Sequence, residues 1–319
     1  MTWQVRGSGS LEEAEICVVH QANGSLGEGP IWDTRLEALY WVDIHRRRIH
    51  RYRISEARQD GVWITRNSPG CLGLTESTHV VVVASGADVL LVDLRSGAET
   101  PVATLPIDTP LMRANDGRVD AAGRLWVGTM IDDIHAPAKF TDGRLFSVMP
   151  DGHVSDSGFV FELPNGIDWS PDGRTLYLND STAQKTFAFD FSVENGTISR
   201  QRVLFDHPAA EGLPDGLCVD SSGTIWSGQW NGWNIKRIAP DGRLIETHTV
   251  PVQRPSSVCF FGHNLDRLAF TSAANGMSTA DFIAAPDAGS LFELSVRAGG
   301  RREHYFGSLA ALNPSTVSS

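Results

Sequence analysis

The chain has 319 residues, is 41% hydrophobic and 20% charged, and carries a formal net charge of -11 at pH 7. That much apolar material is ample for a core and excludes a disordered chain. An acidic balance with one short basic cluster, Arg46-Arg47-Arg48, excludes a general nucleic-acid-binding surface, which needs basic stripes.

No window approaches the ~18 consecutive apolar residues of a membrane span, and the polar stretch from Met1 to Glu15 lacks the apolar centre of a secretory leader. Cys17, Cys71, Cys218 and Cys259 never form a CxxC pair, so neither a zinc knuckle nor a redox motif is written. Free thiols in a reducing compartment are the simplest reading, although an even count leaves disulfides open. The expectation is a cytoplasmic protein with no nucleic-acid and no membrane partner.

In chain order, Gly7-Ser8-Gly9-Ser10 is linker-like, and residues 1–10 are expected to be flexible. Ala14 to His20 reads as a lone strand. Glu28-Gly29-Pro30-Ile31-Trp32 opens a hairpin that returns through Leu39 to Ile44, and Ile49 to Ile54 follows. A second unit runs from Gly70 to Leu74, Val80 to Val83 and Val89 to Val92. The third opens at Asn115 and passes Trp126 and Arg144 to Val148. A fourth opens at Asn165 and continues with Thr186 to Phe189, and a fifth opens at Asp215 and continues with Ile235 to Ile238. The sixth reads Ser257 to Phe261, Leu268 to Thr271 and Leu291 to Leu294. Only Ser278 to Ala285 suggests a helical turn or two.

These units repeat. Val119-Asp120-Ala121-Ala122-Gly123-Arg124-Leu125-Trp126 aligns with Val219 to Trp226 without a gap, each a strand, an Asx-type turn and a returning strand. Tyr40, Val82, Trp126, Tyr177, Trp226 and Ala269, taken as equivalent, recur about every 46 residues, the length of a propeller blade. That is too long for a β-helix rung and too regular for a β-sandwich. The predicted fold is all-β, a six-bladed β-propeller with four-stranded blades, in which the N-terminal strand completes the last blade. The whole chain, 1–319, is expected to be one propeller domain, with 308–319 a loose tail.

Glu28, Asn115, Asn165 and Asp215 stand eleven or twelve residues ahead of their anchors, and Gly70 and Ser257 hold the corresponding places in units two and six. In a ring of blades, side chains at one repeat phase converge on the axis. Two carboxylates and two amides would thus meet, an all-oxygen set suited to Ca²⁺, Mg²⁺ or Mn²⁺, with Zn²⁺ and Fe²⁺ not excluded. Asn-Gly and Asp-Gly steps are also ordinary turns and need no metal, so both readings stand at this point. Pro150-Asp151-Gly152, Pro171-Asp172-Gly173 and Pro240-Asp241-Gly242 lie between strands, where a turn is required. The four candidates instead precede long apolar runs.

Asp120 and Asp220 are read as turn caps, and Trp32, Trp126, Trp169 and Trp226 as core. Trp230, Asn231 and Trp233 are candidates for a channel mouth. The histidines form no H-E-x-x-H spacing, and no G-x-S-x-G elbow or phosphate-binding glycine loop is present.

Five ordered motifs carry a family resemblance: Leu26-Gly27-Glu28-Gly29-Pro30, Asn115-Asp116-Gly117-Arg118-Val119-Asp120, Gly128-Thr129-Met130, Pro164-Asn165-Gly166-Ile167-Asp168-Trp169-Ser170 and Pro214-Asp215-Gly216. From roughly residue 15 to 307 the chain resembles the gluconolactonase and regucalcin (senescence marker protein) family. The resemblance implies a six-bladed propeller with one divalent cation in its channel, held by Glu28, Asn165 and Asp215. It also implies that Arg113 and Asn115 face substrate. An acidic residue after Gly-Thr-Met is matched here by Asp133, shorter than the glutamate common in animal members, which unsettles the sugar preference.

The implied activity is a metal-dependent sugar lactonase that opens an aldonolactone to its aldonic acid. The cation would polarise the carbonyl, Asp215 would be the general base and Arg113 would orient hydroxyls. Alternatives are a metal-binding or protein-interaction propeller without turnover, or a propeller esterase or phosphotriesterase on non-sugar substrates. Oligomeric state is not legible in the sequence.

Overall fold

In the computed structural model, the residues described are 2–5, 14–109, 111–132 and 142–307. Six antiparallel sheets surround one axis, as the repeat predicts. Blade 1 comprises Gly27–Asp33, Ala38–Asp43, Arg48–Arg53 and Arg58–Ile64, and blade 2 Pro69–Thr75, Val80–Ser85, Asp88–Asp93 and Glu99–Thr104. Blade 3 comprises Met112–Val119, Leu125–Ile131, Gly143–Val148 and Val154–Phe161. Pro164–Trp169, Thr175–Asp180, Lys185–Ser192 and Thr197–Asp206 form blade 4, and Leu213–Val219, Ile225–Trp230, Asn234–Ile238 and Leu244–Thr249 form blade 5. Blade 6 takes Pro255–Phe261, Arg267–Ser272 and Leu291–Ser295 from one end of the chain and Ala14–His20 from the other.

The N-terminal strand closes the ring as expected. Ile16 pairs with Leu294 and is fully buried, so the edge of Leu291–Ser295 is covered. The expectation that residues 1–10 are flexible is corrected for Thr2–Val5, which pair antiparallel with Ala14–Cys17. The outer edge of Ala14–His20 offers free backbone donors and acceptors, and an extended segment can satisfy them regardless of the linker between. Residues 308–319 lie outside the described residues.

Each blade grades from inside to outside. The two inner strands are buried on both faces against neighbouring blades and read as near-continuous apolar runs, Pro255–Phe261 being buried throughout. Outermost strands are polar and exposed, as in Leu244–Thr249, and are dressed with ion pairs such as Arg51 with Asp60 and Arg237 with Glu246. The turn between the inner strands is capped as predicted. Asp120 Oδ1 accepts from the N–H of Ala122 and Arg124 while Oδ2 accepts from Trp126 Nε1 at 2.9 Å, and Asp220 does the same for Ser222, Thr224 and Trp226. Trp32, Trp126, Trp169 and Trp226 are buried core residues.

All four cysteines are free. Thr279–Ala284 is the α-helix among the described residues, opened by a capping box between Ser278 and Asp281. No helix there is long and apolar enough to cross a membrane.

One element has no counterpart in the repeat. Residues 299–307 cross the end of the ring where the innermost strands finish. Gly299 O accepts from Ser221 N in blade 5, Gly300 N donates to Leu265 O in blade 6, and Arg301 donates to Asp168 and to Trp169 O in blade 4. Glu303 pairs with Arg118 of blade 3, Tyr305–Phe306 run parallel beside Leu74 and Thr75 of blade 2, and Gly307 N donates to Gly123 O. With the Arg35 guanidinium of blade 1 lying 4.4 Å above the Tyr305 ring, this strap touches all six blades and lies across that mouth of the channel.

Candidate active site

At the opposite mouth all six innermost strands lose register at one level. The shift falls between Glu28 and Ile31, Pro69 and Cys71, Ala114 and Gly117, Asn165 and Ile167, Pro214 and Leu217, and Pro255 and Val258. A bulge inserts a residue, bends the strand and re-aims the side chains on it. It also demands room. A Cβ on Gly166 would stand 2.5 Å from Asp215 O, and one on Gly216 would stand 2.1 Å from Ser257 Oγ, so glycine lets successive inner strands approach each other here. The register corrects one sequence assignment, because Pro255 matches Pro214 and Ser256 rather than Ser257 is the blade 6 equivalent of Asp215.

The bulges gather the candidates. Glu28, Arg113, Asn115, Asn165 and Asp215 are all buried at this level. Asn165 Nδ2 donates to Asp215 Oδ1 and to Ser181 Oγ, the latter at 3.2 Å. Arg113 Nη1 donates to Asn115 Oδ1 at 3.1 Å, and its Nε donates to Asp132 Oδ1 at 2.8 Å. The Asp132 side chain is 56% exposed, so Arg113 reaches from the buried site to its rim. Asp133 lies outside the described residues. Trp230 pairs with Leu213 at the same end of blade 5, with the Arg254 guanidinium 5.0 Å above its ring and Arg254 Nε donating to Asn231.

A third carboxylate joins them. Asp116 is on the blade 3 bulge, next to Asn115, and its charge acts on both Glu28 and Asp215. Strict strand alternation would send Asp116 away from the side Asn115 faces, so the repeat pattern by itself assigns it no role. Burial lifts the Glu28 and Asp215 carboxyls well above the ordinary carboxylate range, and like charge lifts them further: Asp215 and Asp116 act on Glu28, and Asp116 on Asp215. The Gly29 N–H and Arg113 offset part of this at Glu28, and the Asn165 and Gly216 donors part of it at Asp215. Burial holds Asp116 at about 6 despite the Gly117 N–H and the Arg118 charge. Burial also lowers Arg113, against the pull of Asp132 and Glu28.

These residues fit a hard divalent cation. Glu28 Oε2 is buried without a hydrogen-bond donor, and the nearby acidic charge has Arg113 as its close cationic neighbour, itself engaged by Asp132. Glu28, Asn165 and Asp215 offer only oxygen, with no thiolate or imidazole beside them. Among the described residues no group of three or more His, Cys, Asp or Glu is arranged to hold a metal ion; the set gathered here is two carboxylates, Glu28 and Asp215, and one amide, Asn165.

The model of the SMP-30/gluconolactonase/LRE-like region matches residues 26–274. The chain belongs to this family. It is 34% identical to regucalcin of Danio rerio over 280 residues, covering 88% of this chain and 93% of that protein. A calcium-binding regucalcin from Agrobacterium tumefaciens, 29% identical, superposes with a TM-score of 0.85 over 91% of this chain and 97% of that one. A luciferin-regenerating enzyme, 26% identical, gives 0.81 over 88% and 95%. The SMP-30/gluconolactonase match spans all six bulged strands.

Proposed function

We propose that the chain is a divalent-cation-dependent hydrolase of sugar lactones, with Glu28, Asn165 and Asp215 as the cation's ligands and Arg113 and Asn115 as substrate contacts. The observation that carries it is the buried acidic cluster, with an unpartnered Glu28 oxygen, gathered beside a guanidinium and an amide. The first part suits a hard cation, Ca²⁺ foremost, and the second suits a polyhydroxylated ring. The calcium-binding Agrobacterium relative supports the choice of ion.

When bound, the cation supplies Lewis acidity, polarising the lactone carbonyl and acidifying water. Arg113, fixed between Asn115 and Asp132, presents its remaining N–H donors to substrate hydroxyls and holds the ring in one orientation. Asn115 is oriented in turn, because its Nδ2 is committed to Pro164 O at 3.1 Å. Asp215 accepts the proton as water oxygen bonds to the carbonyl carbon. The ring C–O bond then breaks, the ring oxygen takes a proton, and the aldonic acid leaves.

The test is a pH-indicator screen over pentono-, hexono- and acid-substituted lactones, with Ca²⁺, Mg²⁺, Mn²⁺, Zn²⁺ or Fe²⁺ restored singly after chelation. Acid release that needs a cation is the expected result. Cation uptake with no acid release from any lactone would instead mark a binding propeller, the reading closest to the calcium-binding relative.

A further inference from the structure

The carbonyl immediately before each of the three proposed ligands is held by a side chain of the adjacent blade. Ser256 Oγ donates to Gly27 O at 2.5 Å, Asn115 Nδ2 to Pro164 O at 3.1 Å, and Ser181 Oγ to Pro214 O at 2.6 Å. A fourth contact takes the Asp215 carbonyl itself, from Asn179 Nδ2 at 2.6 Å. The donors come from different places: Ser256 and Asn115 from innermost strands, Asn179 from a second strand, Ser181 just past its end. They share a target, the backbone where a bulge interrupts the ladder.

That placement has a physical reason. These carbonyls lie on innermost strands whose channel-side edge has no ladder neighbour, and a carbonyl left buried without a partner costs about 1–3 kcal/mol and is free to swing. Ligand oxygens must be held to within about 0.5 Å, which a side chain on an unanchored bulge does not achieve. Ser181 has a second task. Its oxygen accepts from Asn165 Nδ2, the end of the amide that a cation cannot use, and so sets which way round that amide lies. Asn179 is itself buttressed: Thr186 Oγ1 donates to its Oδ1 at 2.7 Å, its Nδ2 also reaches Ser227 Oγ at 2.9 Å, and all three residues are fully buried.

We propose that Ser256, Ser181 and Asn179 are positioning residues that fix the backbone of Glu28 and Asp215 across the blade junctions, Ser181 also orienting Asn165. This rests on the assignment of Glu28, Asn165 and Asp215 as cation ligands. Removing an outer support of a metal ligand typically costs 10–100-fold in metal affinity.

The experiment is calorimetric titration of chelator-stripped protein with Ca²⁺ and with Mn²⁺, alongside melting of the metal-free form. Ser256→Ala and Ser181→Ala should weaken binding by about tenfold or more. Thr75→Val is the structural control, since it removes a buried hydroxyl that donates to Val80 O at 2.8 Å at the far end of blade 2. Its cation affinity should match the wild type, while its melting temperature falls at least as far as in the serine variants. Ser181→Thr, which keeps the hydroxyl, should restore affinity. Serine variants that bind as tightly as the wild type overturn the positioning role alone. A wild type that takes up neither cation overturns the ligand assignment, and this inference with it.

Discussion

Replacing Asp215 with Asn should act in opposite directions on stability and on function. Glu28, Asp116 and Asp215 are buried together and each raises or is raised by another's charge, Asp116 being held at about 6 by burial. Some two units above an ordinary aspartate corresponds to roughly 3 kcal/mol of destabilisation at neutral pH when the group is ionised in the metal-free fold. Asp215 feels both burial and the Asp116 charge. Its neutral replacement should therefore relieve destabilisation in the same sense, offset in part by an amide whose hydrogens find imperfect partners. Chelator-stripped Asp215→Asn should melt above the wild type. The same variant should bind Ca²⁺ more weakly, and at saturating cation its lactone turnover should stay lower by about 10²–10⁴, the usual contribution of a positioned base. A metal-free variant that melts below the wild type would refute the claim of uncompensated charge. Full recovery of turnover at saturating cation would refute the base role.

Arg113→Ala should lower kcat/KM on a lactone by roughly 10–100-fold through lost charged hydrogen bonds, while calorimetry shows Ca²⁺ affinity unchanged or tighter, since a cationic neighbour of Glu28 is gone. Arg118→Met leaves Glu303 buried beneath the channel without its partner and should destabilise by about 3 kcal/mol or more in urea unfolding, with lactone KM unaltered. Burial holds His207 neutral down to about pH 3 and His50 to about 4, the Lys236 charge adding to the effect at His207. An unfolded chain protonates these groups below ~6.5, so their contribution is present above that pH and is lost as pH falls toward the folded values. Each should lower stability by about 1.4 kcal/mol per pH unit. The buried carboxylates act in the opposite sense, so the measurement is a difference. Wild type minus His207→Gln, compared at pH 6.5 and 4.5, should show that slope, and parallel profiles would rule it out.

The ring was legible because its turn chemistry is repeated in the letters. Asp120 and Asp220 each satisfy two backbone N–H groups and the indole of a tryptophan six residues on, so one local device fixes hairpin, spacing and core anchor together. Glu28, Asn165 and Asp215 could be found because they share a repeat phase. Asp116 could not, since its direction depends on a register shift that simple alternation does not contain. Ser256 and Ser181 are harder still. Ser256 and Gly27 are 229 residues apart, and nothing near either one records that the closing of the ring brings them together. The strap has no periodicity, and its sequence reads as a polar tail.

The two ends of the chain impose an order on biosynthesis. Blades form from local hairpins as the ribosome releases them, yet the N-terminal strand Ala14–His20 waits for Leu291–Ser295, made after the other five blades. Residues 299–307, later still, then bridge all six blades already in place. At about 5–20 residues per second the first blade spends tens of seconds with an unpaired neighbour, and the sixth cannot be completed until Leu291–Ser295 has been made. Through that interval the nascent protein shows open strand edges, the surfaces on which β-rich chains misassociate. Its vulnerable period is therefore set by the time taken to translate from His20 to Leu291, and any pause in that interval lengthens it.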